Sequence, residues 1–480
     1  MTLLDALATQ GSLTKPANMM GAVTISLILY VVSTIIYRLW FHPLAKVPGP
    51  KYMALWDVPS QWRSFITMDM VRHATVLHRQ YGPLVRIGPD RLAIEGSVSW
   101  PEVYGVRSSR ADNEYSKVPG LAFPNDHMAL LGAGRDDHRR QRRQMGHAFS
   151  SSALHEQEAI ITRYVDKFMD AITARARAGE ALNLVDWLNF TTFDIIGDLA
   201  FADTFRSLDG DTTFVKNIFR GVVGGAYRRF WVQFPMLKNF RLGRVKGQAR
   251  MAMGAEPKDG RRDFATYMLR KGKDGESVLS DAEVQALSSV LVIAGSETTA
   301  TALSGFTFFI GTHAEKRRVL EEEIRNSFAD EAEITMTSTG HLEYLNAVIE
   351  EMLRLYPRRR RSRHELVFQH ATNRNPDSFA DPDSFEPERW LGPNHARYNP
   401  RYAGDKREVV KPFSTGPRDC IGKNLAYAEM RVIICRLLYR FEIELLPGQE
   451  RWMDDQKAAF VWVKGPLVVR LKPHVGAVLD

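Results

Sequence analysis

The chain has 480 residues, of which 44% are hydrophobic and 25% charged, a composition that excludes a disordered or collagen-like protein and allows a substantial core. Two cysteines exclude a disulfide scaffold and favour a reducing compartment. The net charge of +8 suits acidic partners, but no basic stretch is interleaved with aromatic residues, so we expect no nucleic acid as a partner.

The first informative segment is Pro16 to Tyr37, which carries no charged side chain. As a helix it would span roughly 33 Å, enough to cross a bilayer. A cleaved signal peptide is the alternative, but no small-residue cleavage site follows the segment. We therefore predict a retained membrane anchor.

Basic residues flank this segment unevenly. Arg38, Lys46 and Lys51 follow it, whereas Lys15 alone precedes it. The positive-inside tendency therefore places the bulk of the chain in the cytosol.

Beyond the anchor the sequence pattern is mainly helical, with a few short strands. Residues 81–94 alternate in polarity and contain turn residues, which predicts a hairpin. The longest predicted helix runs from Ser280 to His313, where Glu283 can complete a capping box. Gly295, near its middle, costs about 1 kcal/mol relative to alanine. We therefore predict a local opening of the helix at which a small molecule meets the backbone.

A basic cluster, residues 138–143, begins another predicted helix. The cluster is either a solvated face, as most charge runs are, or a docking surface for an acidic protein. Gly132-Ala133-Gly134 is only a weak match to a dinucleotide loop, and the chain has no other nicotinamide or flavin fingerprint. Electrons for any redox reaction must therefore come from another protein.

Glu351 and Arg354 lie three apart on a predicted helix and therefore share one face. They are either a solvent-facing pair or part of a buried network. In the second case, a further arginine from a distant loop would join them.

The stretch from Phe413 to Gly422 holds Cys420 in the order Phe-Ser-Thr-Gly-Pro-Arg-Asp-Cys-Ile-Gly. Apolar residues spaced three and four apart predict a helix over Lys423 to Phe441. Cys420 would then lie at a helix N-terminus, where unpaired amides favour the thiolate, the form that binds metal. The alternative is a small buried hydrophobe in a glycine-rich turn. We predict that Cys435 is an ordinary core residue.

Other residues of this stretch suit a haem. Gly416 and Gly422 have no side chain, so a flat macrocycle can lie close to the backbone on both sides of the sulfur. Arg418 offers a fixed cation to a propionate, and Phe413 can shield the sulfur from water.

The spacing Phe-x-x-Gly-x-Arg-x-Cys-x-Gly resembles the haem-binding signature of the cytochrome P-450 superfamily. Three further stretches resemble motifs of that family and follow in its order: Ala294 to Thr299, Glu351 to Arg354, and Pro387 to Trp390. The first resembles the oxygen-activation stretch, the second the Glu-x-x-Arg motif, and the third the segment whose Arg389 joins that pair.

This resemblance covers the chain from about residue 40 onward. It implies a mainly α fold with a small β-rich lobe, the cytochrome P-450 fold, preceded here by one N-terminal transmembrane helix. We expect the anchor in residues 1–40 and a haem-thiolate catalytic domain in residues 41–480.

The resemblance also implies a cofactor, haem b, with the Cys420 thiolate as the axial ligand of its iron. Thr298 would hydrogen-bond the distal oxygen of bound dioxygen, and Glu297 would carry protons inward from solvent. The alternative for Thr298 is a hydrogen bond back to an earlier carbonyl of its own helix. Arg142 would meet a haem propionate, with His138 in the place of the family's tryptophan.

The implied reaction inserts one oxygen atom from dioxygen into a lipophilic small molecule. The Leu44 to Pro50 and Ala294 to Thr301 stretches look most like fungal microsomal members of secondary metabolism, which suggests a terpenoid or polyketide substrate. We expect an endoplasmic reticulum membrane protein with its catalytic domain facing the cytosol, reduced by an NADPH-dependent flavoprotein reductase. Glu351, Arg354 and Arg389 would support folding and haem retention.

One departure from the family lies between Arg354 and Arg389, where residues 357–375 form an unusually short segment and five arginines fall within residues 358–363. A natural loop shortening, an exon missing from the gene prediction, or a degraded gene copy would each give this pattern. A non-catalytic remnant is therefore one alternative function, and a haem-thiolate isomerase or dehydratase that uses no dioxygen is a separate alternative. By resemblance, the substrate pocket includes residues 121–123, Ala294 and Phe460.

Overall fold

The computed structural model describes residues 16–105, 128–213, 215–217, 221, 224, 225, 227, 263–272, 275–357, 365–458 and 461–474. Helices predominate in these residues, and the strands are short, which confirms the mainly α prediction. The α-helices are α1 Pro16–Ile36, α2 Lys51–Leu55, α3 Val58–Phe65, α4 Met70–Tyr81, α5 Gly96–Ser99, α6 Arg135–Gly146, α7 Ser151–Arg177, α8 Leu184–Phe201, α9 Phe264–Met268, α10 Asp281–Thr312, α11 Ala314–Ser327, α12 Glu343–Leu355, α13 Gln369–Thr372 and α14 Lys423–Arg440.

Eight strands form three small sheets in the described residues. They are β1 Leu84–Gly88, β2 Arg91–Ile94, β3 Ala181–Asn183, β4 Glu365–Leu366, β5 Phe441–Leu445, β6 Lys457–Ala458, β7 Trp462–Val463 and β8 Val468–Pro473. The sheet orders are β1-β2-β4, β3-β8-β5 and β6-β7.

The N-terminal helix stands apart from the rest of the chain. The 23 residues Met19–Phe41 have a mean hydropathy of 2.2 and are not buried, so this helix is a candidate membrane span. Helix α10 is also long and apolar, but 61% of its apolar window is buried, which is typical of a core helix. The buried Arg86 donates hydrogen bonds of 2.8 Å to the carbonyl oxygens of Arg38 and Pro89, and so links the end of the anchor to the domain.

Strands β1 and β2 pair antiparallel and confirm the predicted hairpin. Strand β4 then pairs parallel with β2, with Leu92 opposite Glu365. This strand lies within the shortened segment, so the segment itself still contributes a strand to the sheet.

Helix α10 begins with the predicted capping box. The Ser280 amide donates to Glu283 Oε2 at 2.9 Å, and the Glu283 amide donates to Ser280 Oγ. Helix α10 is continuous from Asp281 to Thr312, so the opening predicted at Gly295 is not a break in the helix, but Gly295 does line a cavity beside it. A Cβ on Gly295 would approach Ile196 Cδ1 to 2.5 Å, so the glycine permits close packing against α8.

Candidate active site

The Cys420 loop is fixed by its backbone. The Cys420 amide donates to the Phe413 carbonyl at 2.9 Å, and α14 begins three residues later at Lys423. Gly416 has φ +78°, and a Cβ there would overlap the carbonyl oxygen of Tyr104. The glycine is therefore required by the loop itself. Cys420 is half-buried, unlike Cys435, which is fully buried and has a pKa raised by desolvation.

A cavity of about 130 Å³ lies between this loop and helix α10. One wall carries Phe413 and Cys420, and the opposite side carries Gly295, Thr298 and Ala302. Further lining residues are Phe149, Ile196, Leu291, Ala294, Thr299, Leu353, Tyr356, Pro412, Ile421, Gly422, Leu425, Ala426, Glu429 and Met430.

The donor set of this cavity fits a haem rather than a bare metal ion. Among the described residues, no group of three or more His, Cys, Asp or Glu side chains is placed to hold a metal. A haem brings its own ring nitrogens and needs only an axial protein ligand, which Cys420 can supply. The mainly apolar walls on both sides suit the flat faces of a macrocycle.

The residues predicted to contact the haem propionates lie around the Cys420 loop. Two of them, Arg142 and Arg418, form hydrogen bonds with other residues of the chain. Arg142 forms an ion pair with the Asp419 carboxylate and donates to the Asp419 carbonyl at 2.6 Å. Arg418 donates to the Ala133 carbonyl at 3.0 Å. His138 is buried on the inner side of α6.

Arginines of the basic cluster also make internal contacts. Arg140 pairs with Asp137 and with Glu283 of the α10 capping box. Arg139 and Arg143 are exposed on α6.

Thr298 lines the cavity and donates a hydrogen bond of 2.5 Å to the Ala294 carbonyl. This is the back-bonding alternative noted from the sequence. It uses the single hydroxyl proton but leaves the lone pairs of Oγ1 able to accept from a molecule in the cavity.

Glu297, which was predicted to carry protons inward from solvent, is buried on α10 beside Thr298. Its side chain is 2% exposed, and Oε1 lies 2.5 Å from Lys464 Nζ. Thr301 Oγ1 donates to the same oxygen at 3.1 Å and accepts from Lys464 at 2.7 Å. Burial raises the pKa of Glu297 and lowers that of Lys464, while the attraction between the two charges opposes both shifts.

A second buried carboxyl, which the sequence analysis missed, borders the cavity from α14. Glu429 is fully buried, and desolvation raises its pKa to about 8 despite a hydrogen bond with Thr299. The sequence could have identified Glu429 by its position, because it lies nine residues after Cys420 on the inner face of the predicted helix.

The structure brings Glu351, Arg354 and Arg389 together with no exposed surface. Arg354 Nε donates to Glu351 Oε2 at 2.8 Å, and Arg389 Nε donates to Oε1 at 3.0 Å. Trp390 adds a 2.9 Å bond, and Asp405 pairs with Arg389. Burial acts to raise the pKa of Glu351, but the two arginines outweigh it and hold the pKa below its usual range. The sequence did not indicate Asp405.

Some predicted residues lie outside the described residues. They are residues 121–123 and Phe460 of the expected pocket and the arginines of positions 358–361 and 363. Of the predicted pocket residues, Ala294 lines the cavity.

Comparison with known proteins places the site in context. The family model described as Cytochrome P450 matches residues 48–367 and 364–471, two matches that meet in the shortened segment. The chain is 34% identical to Cytochrome P450 monooxygenase astA of Talaromyces wortmannii, over 94% of this chain and 96% of that protein. It is 34% identical to averantin hydroxylase of Dothistroma septosporum, over 94% and 90%. It is 32% identical to trichothecene C-15 hydroxylase of Fusarium sporotrichioides, over 93% and 96%.

Proposed function

The chain belongs to the cytochrome P450 family and is similar to its oxygen-incorporating members, and we propose that it inserts one atom of dioxygen into a terpenoid or polyketide. The proposed cofactor is haem b with Cys420 as axial ligand. Relatives named averantin hydroxylase and trichothecene C-15 hydroxylase support hydroxylation of a small-molecule skeleton.

The observation that carries this proposal is the position of Cys420 and Thr298 on opposite sides of one apolar cavity. A bound haem would supply the activation of dioxygen, which thiolate ligation favours. The chain would supply the Cys420 thiolate from one side of the cavity and, from the other, the Thr298 hydroxyl to accept or pass on a proton. Apolar side chains around the cavity exclude bulk water and suit a lipophilic substrate.

Four further residues have proposed roles around the cofactor. Arg142, Arg418 and His138 would hold its propionates, with Asp419 fixing Arg142 in place. Phe413 would shield the sulfur, and it packs on Tyr427 with ring centroids 5.0 Å apart.

The buried Glu351 network would hold the cofactor side of the domain together. Its members, Arg354 and Arg389, connect α12 to the segments around Ala380 and Ser384 through backbone carbonyls. We assign this network to folding and haem retention.

The electron donor in this proposal is an NADPH-dependent flavoprotein reductase. The chain has a sequence pI of about 9.3, and Arg139 and Arg143 are exposed on α6, so an acidic partner would be attracted. The candidate span Met19–Phe41 would anchor residues 1–40 in the endoplasmic reticulum membrane, with residues 41–480 as the cytosolic catalytic domain.

Isotopic labelling tests the proposed reaction. Full-length enzyme with reductase, NADPH and labelled dioxygen should add one labelled oxygen atom per product molecule from a panel of terpenoids and polyketides. Conversion without label and without dioxygen consumption would instead indicate an isomerase or dehydratase. No conversion together with no haem uptake would indicate a non-catalytic remnant.

A pair of threonine variants sharpens this experiment. Thr298→Ala should lower product formed per NADPH by about tenfold or more and release reduced oxygen species instead. Thr312→Ala is the matched control, because Thr312 also bonds back to a carbonyl of α10 but lies outside the cavity. Equal product yields in the two variants would contradict the role of Thr298.

A further inference from the structure

A buried ion pair joins helix α10 to the segment between β7 and β8. Lys464 and Glu297 are 1% and 2% exposed, and Nζ lies 2.5 Å from Oε1. Thr301 completes a triangle, with hydrogen bonds of 2.7 Å to Nζ and 3.1 Å to Oε1. Few lysines are buried to this degree in proteins, and those that are need a charged partner.

The two oxygens of Glu297 have different surroundings. Oε1 accepts hydrogen bonds from Lys464 Nζ and Thr301 Oγ1, whereas the buried Oε2 has no hydrogen-bond partner among the described residues. A buried carboxylate oxygen without a partner is costly, and such atoms are typically found where a water or a transferred proton is accommodated. Glu297 directly precedes Thr298, which lines the cavity.

We propose that Lys464 is a positioning residue for proton delivery, which holds Glu297 ionised and fixed by Oε1 so that Oε2 is the atom that takes up and passes on protons. This inference rests on the proposed monooxygenase function and extends it to a residue outside the recognised motifs. After each proton is passed toward Thr298, Glu297 returns to the carboxylate form that Lys464 stabilises.

The other polar groups near the pair do not replace Lys464. The Tyr356 hydroxyl is fully buried and donates to Gln456 Oε1, and burial together with the charge of Glu297 raises its pKa, so it stays neutral. Arg72 lies behind Tyr356 and donates to the Gln456 and Met453 carbonyls at 2.6 and 2.7 Å. Among the residues that the structure describes, Lys464 is therefore the cation in direct contact with Glu297.

Infrared difference spectroscopy on the full-length holoenzyme tests the charge state without reference to activity. Subtracting Glu297→Gln from the wild type should give a carboxylate signal, and no protonated carboxyl signal, at neutral pH. In Lys464→Met, a buried carboxyl without its cation should take up a proton. A protonated carboxyl band should therefore appear at neutral pH and be absent from Lys464→Met/Glu297→Gln.

The exposed Lys457 on β6 provides a matched control. Lys457→Met should leave the Glu297 signal unchanged. A Lys464→Met spectrum identical to wild type would overturn the proposal. If Lys464→Met does not retain haem, the difference spectrum of wild type minus Glu297→Gln tests the proposal instead. A protonated carboxyl signal from Glu297 at neutral pH would contradict the ionised pair.

Turnover then tests the consequence for proton delivery. Lys464→Met should form about tenfold less product per NADPH than wild type, with a larger solvent deuterium isotope effect and a shifted pH profile. Wild-type values in Lys464→Met, alongside a loss in Thr298→Ala, would overturn the role of Lys464 alone. Failure of labelled oxygen incorporation in the wild type would instead overturn the proposed function.

Discussion

At the scale of single residues, glycines and carboxyl groups around Cys420 show how far a sequence can be interpreted. The motif indicated that Gly416 leaves room for a macrocycle, but its positive φ and the adjacent Tyr104 carbonyl appear only in the folded loop. Glu297 was predicted from its position beside Thr298. Its partner Lys464 was not, because lysines are mostly exposed and no local pattern marks this one.

Gly416→Ala should lower haem retention. The substitution forces an L side chain into positive φ, at about 1–3 kcal/mol, and overlaps the Tyr104 carbonyl. Haem content per protein and the melting temperature measure the effect. Gly404→Ala, at an exposed site where a Cβ would meet no atom within 4 Å, is the control. Equal losses in both variants would argue against a specific role for the loop geometry.

Glu429→Gln should remove a pH dependence of stability. The folded-state pKa of Glu429 is raised from 4.5 to about 8, so the native state binds the proton more tightly than the unfolded chain. Its contribution is fully present below pH 4.5 and is lost as the pH rises through about 8. Urea unfolding of the holoenzyme across this range should show a decline in the wild type that is weaker in the variant. Identical pH profiles would refute this assignment.

At the scale of elements, hydrophobic periodicity and capping motifs predicted the helices and strands, whereas the contacts between elements could not be predicted. The hairpin, the capping box of α10 and the start of α14 follow from local sequence. Gly295 lines the cavity as expected, but the cost of a helix glycine does not reveal which neighbouring side chain also requires it, here Ile196 of α8. Asp405 likewise joins the Glu351 network through a long-range contact that no spacing encodes.

The Glu351 network should be far more important for stability than a surface ion pair. Glu351→Gln leaves two buried arginines without their carboxylate, which typically costs about 3–5 kcal/mol. Glu322→Gln removes the exposed partner of Arg318 on α11 and should cost under about 1 kcal/mol. Chemical denaturation and haem content measure the difference. Similar unfolding midpoints for the two variants would contradict the buried network.

At the scale of the whole molecule, composition and the apolar N-terminal run predicted one anchor helix before a large helical domain. The shortened segment departs from the family pattern, but its strand β4 pairs with β2. The cavity beside Cys420 is likewise retained in the described residues. The parallel pairing of β4 with β2 could not be predicted, because it depends on a long-range contact rather than on local periodicity.

Two charges in the anchor should release the protein from membranes. Arginine near the centre of a membrane helix costs roughly 2.5–3.5 kcal/mol on insertion scales, so Leu27→Arg/Leu29→Arg should move much of the chain to the soluble fraction after alkaline extraction. His155→Arg on the exposed surface of α7 is the control. A fully membrane-bound double variant would show that Met19–Phe41 is not the principal anchor.

The most direct test of the central claim is the carbon monoxide difference spectrum of the reduced full-length protein. A haem held by the Cys420 thiolate predicts a Soret band at the position of thiolate ligation, which Cys420→Ser abolishes and Cys435→Ser preserves. Absence of haem uptake, a band typical of histidine or protonated thiol ligation, or a thiolate band that survives Cys420→Ser would contradict it.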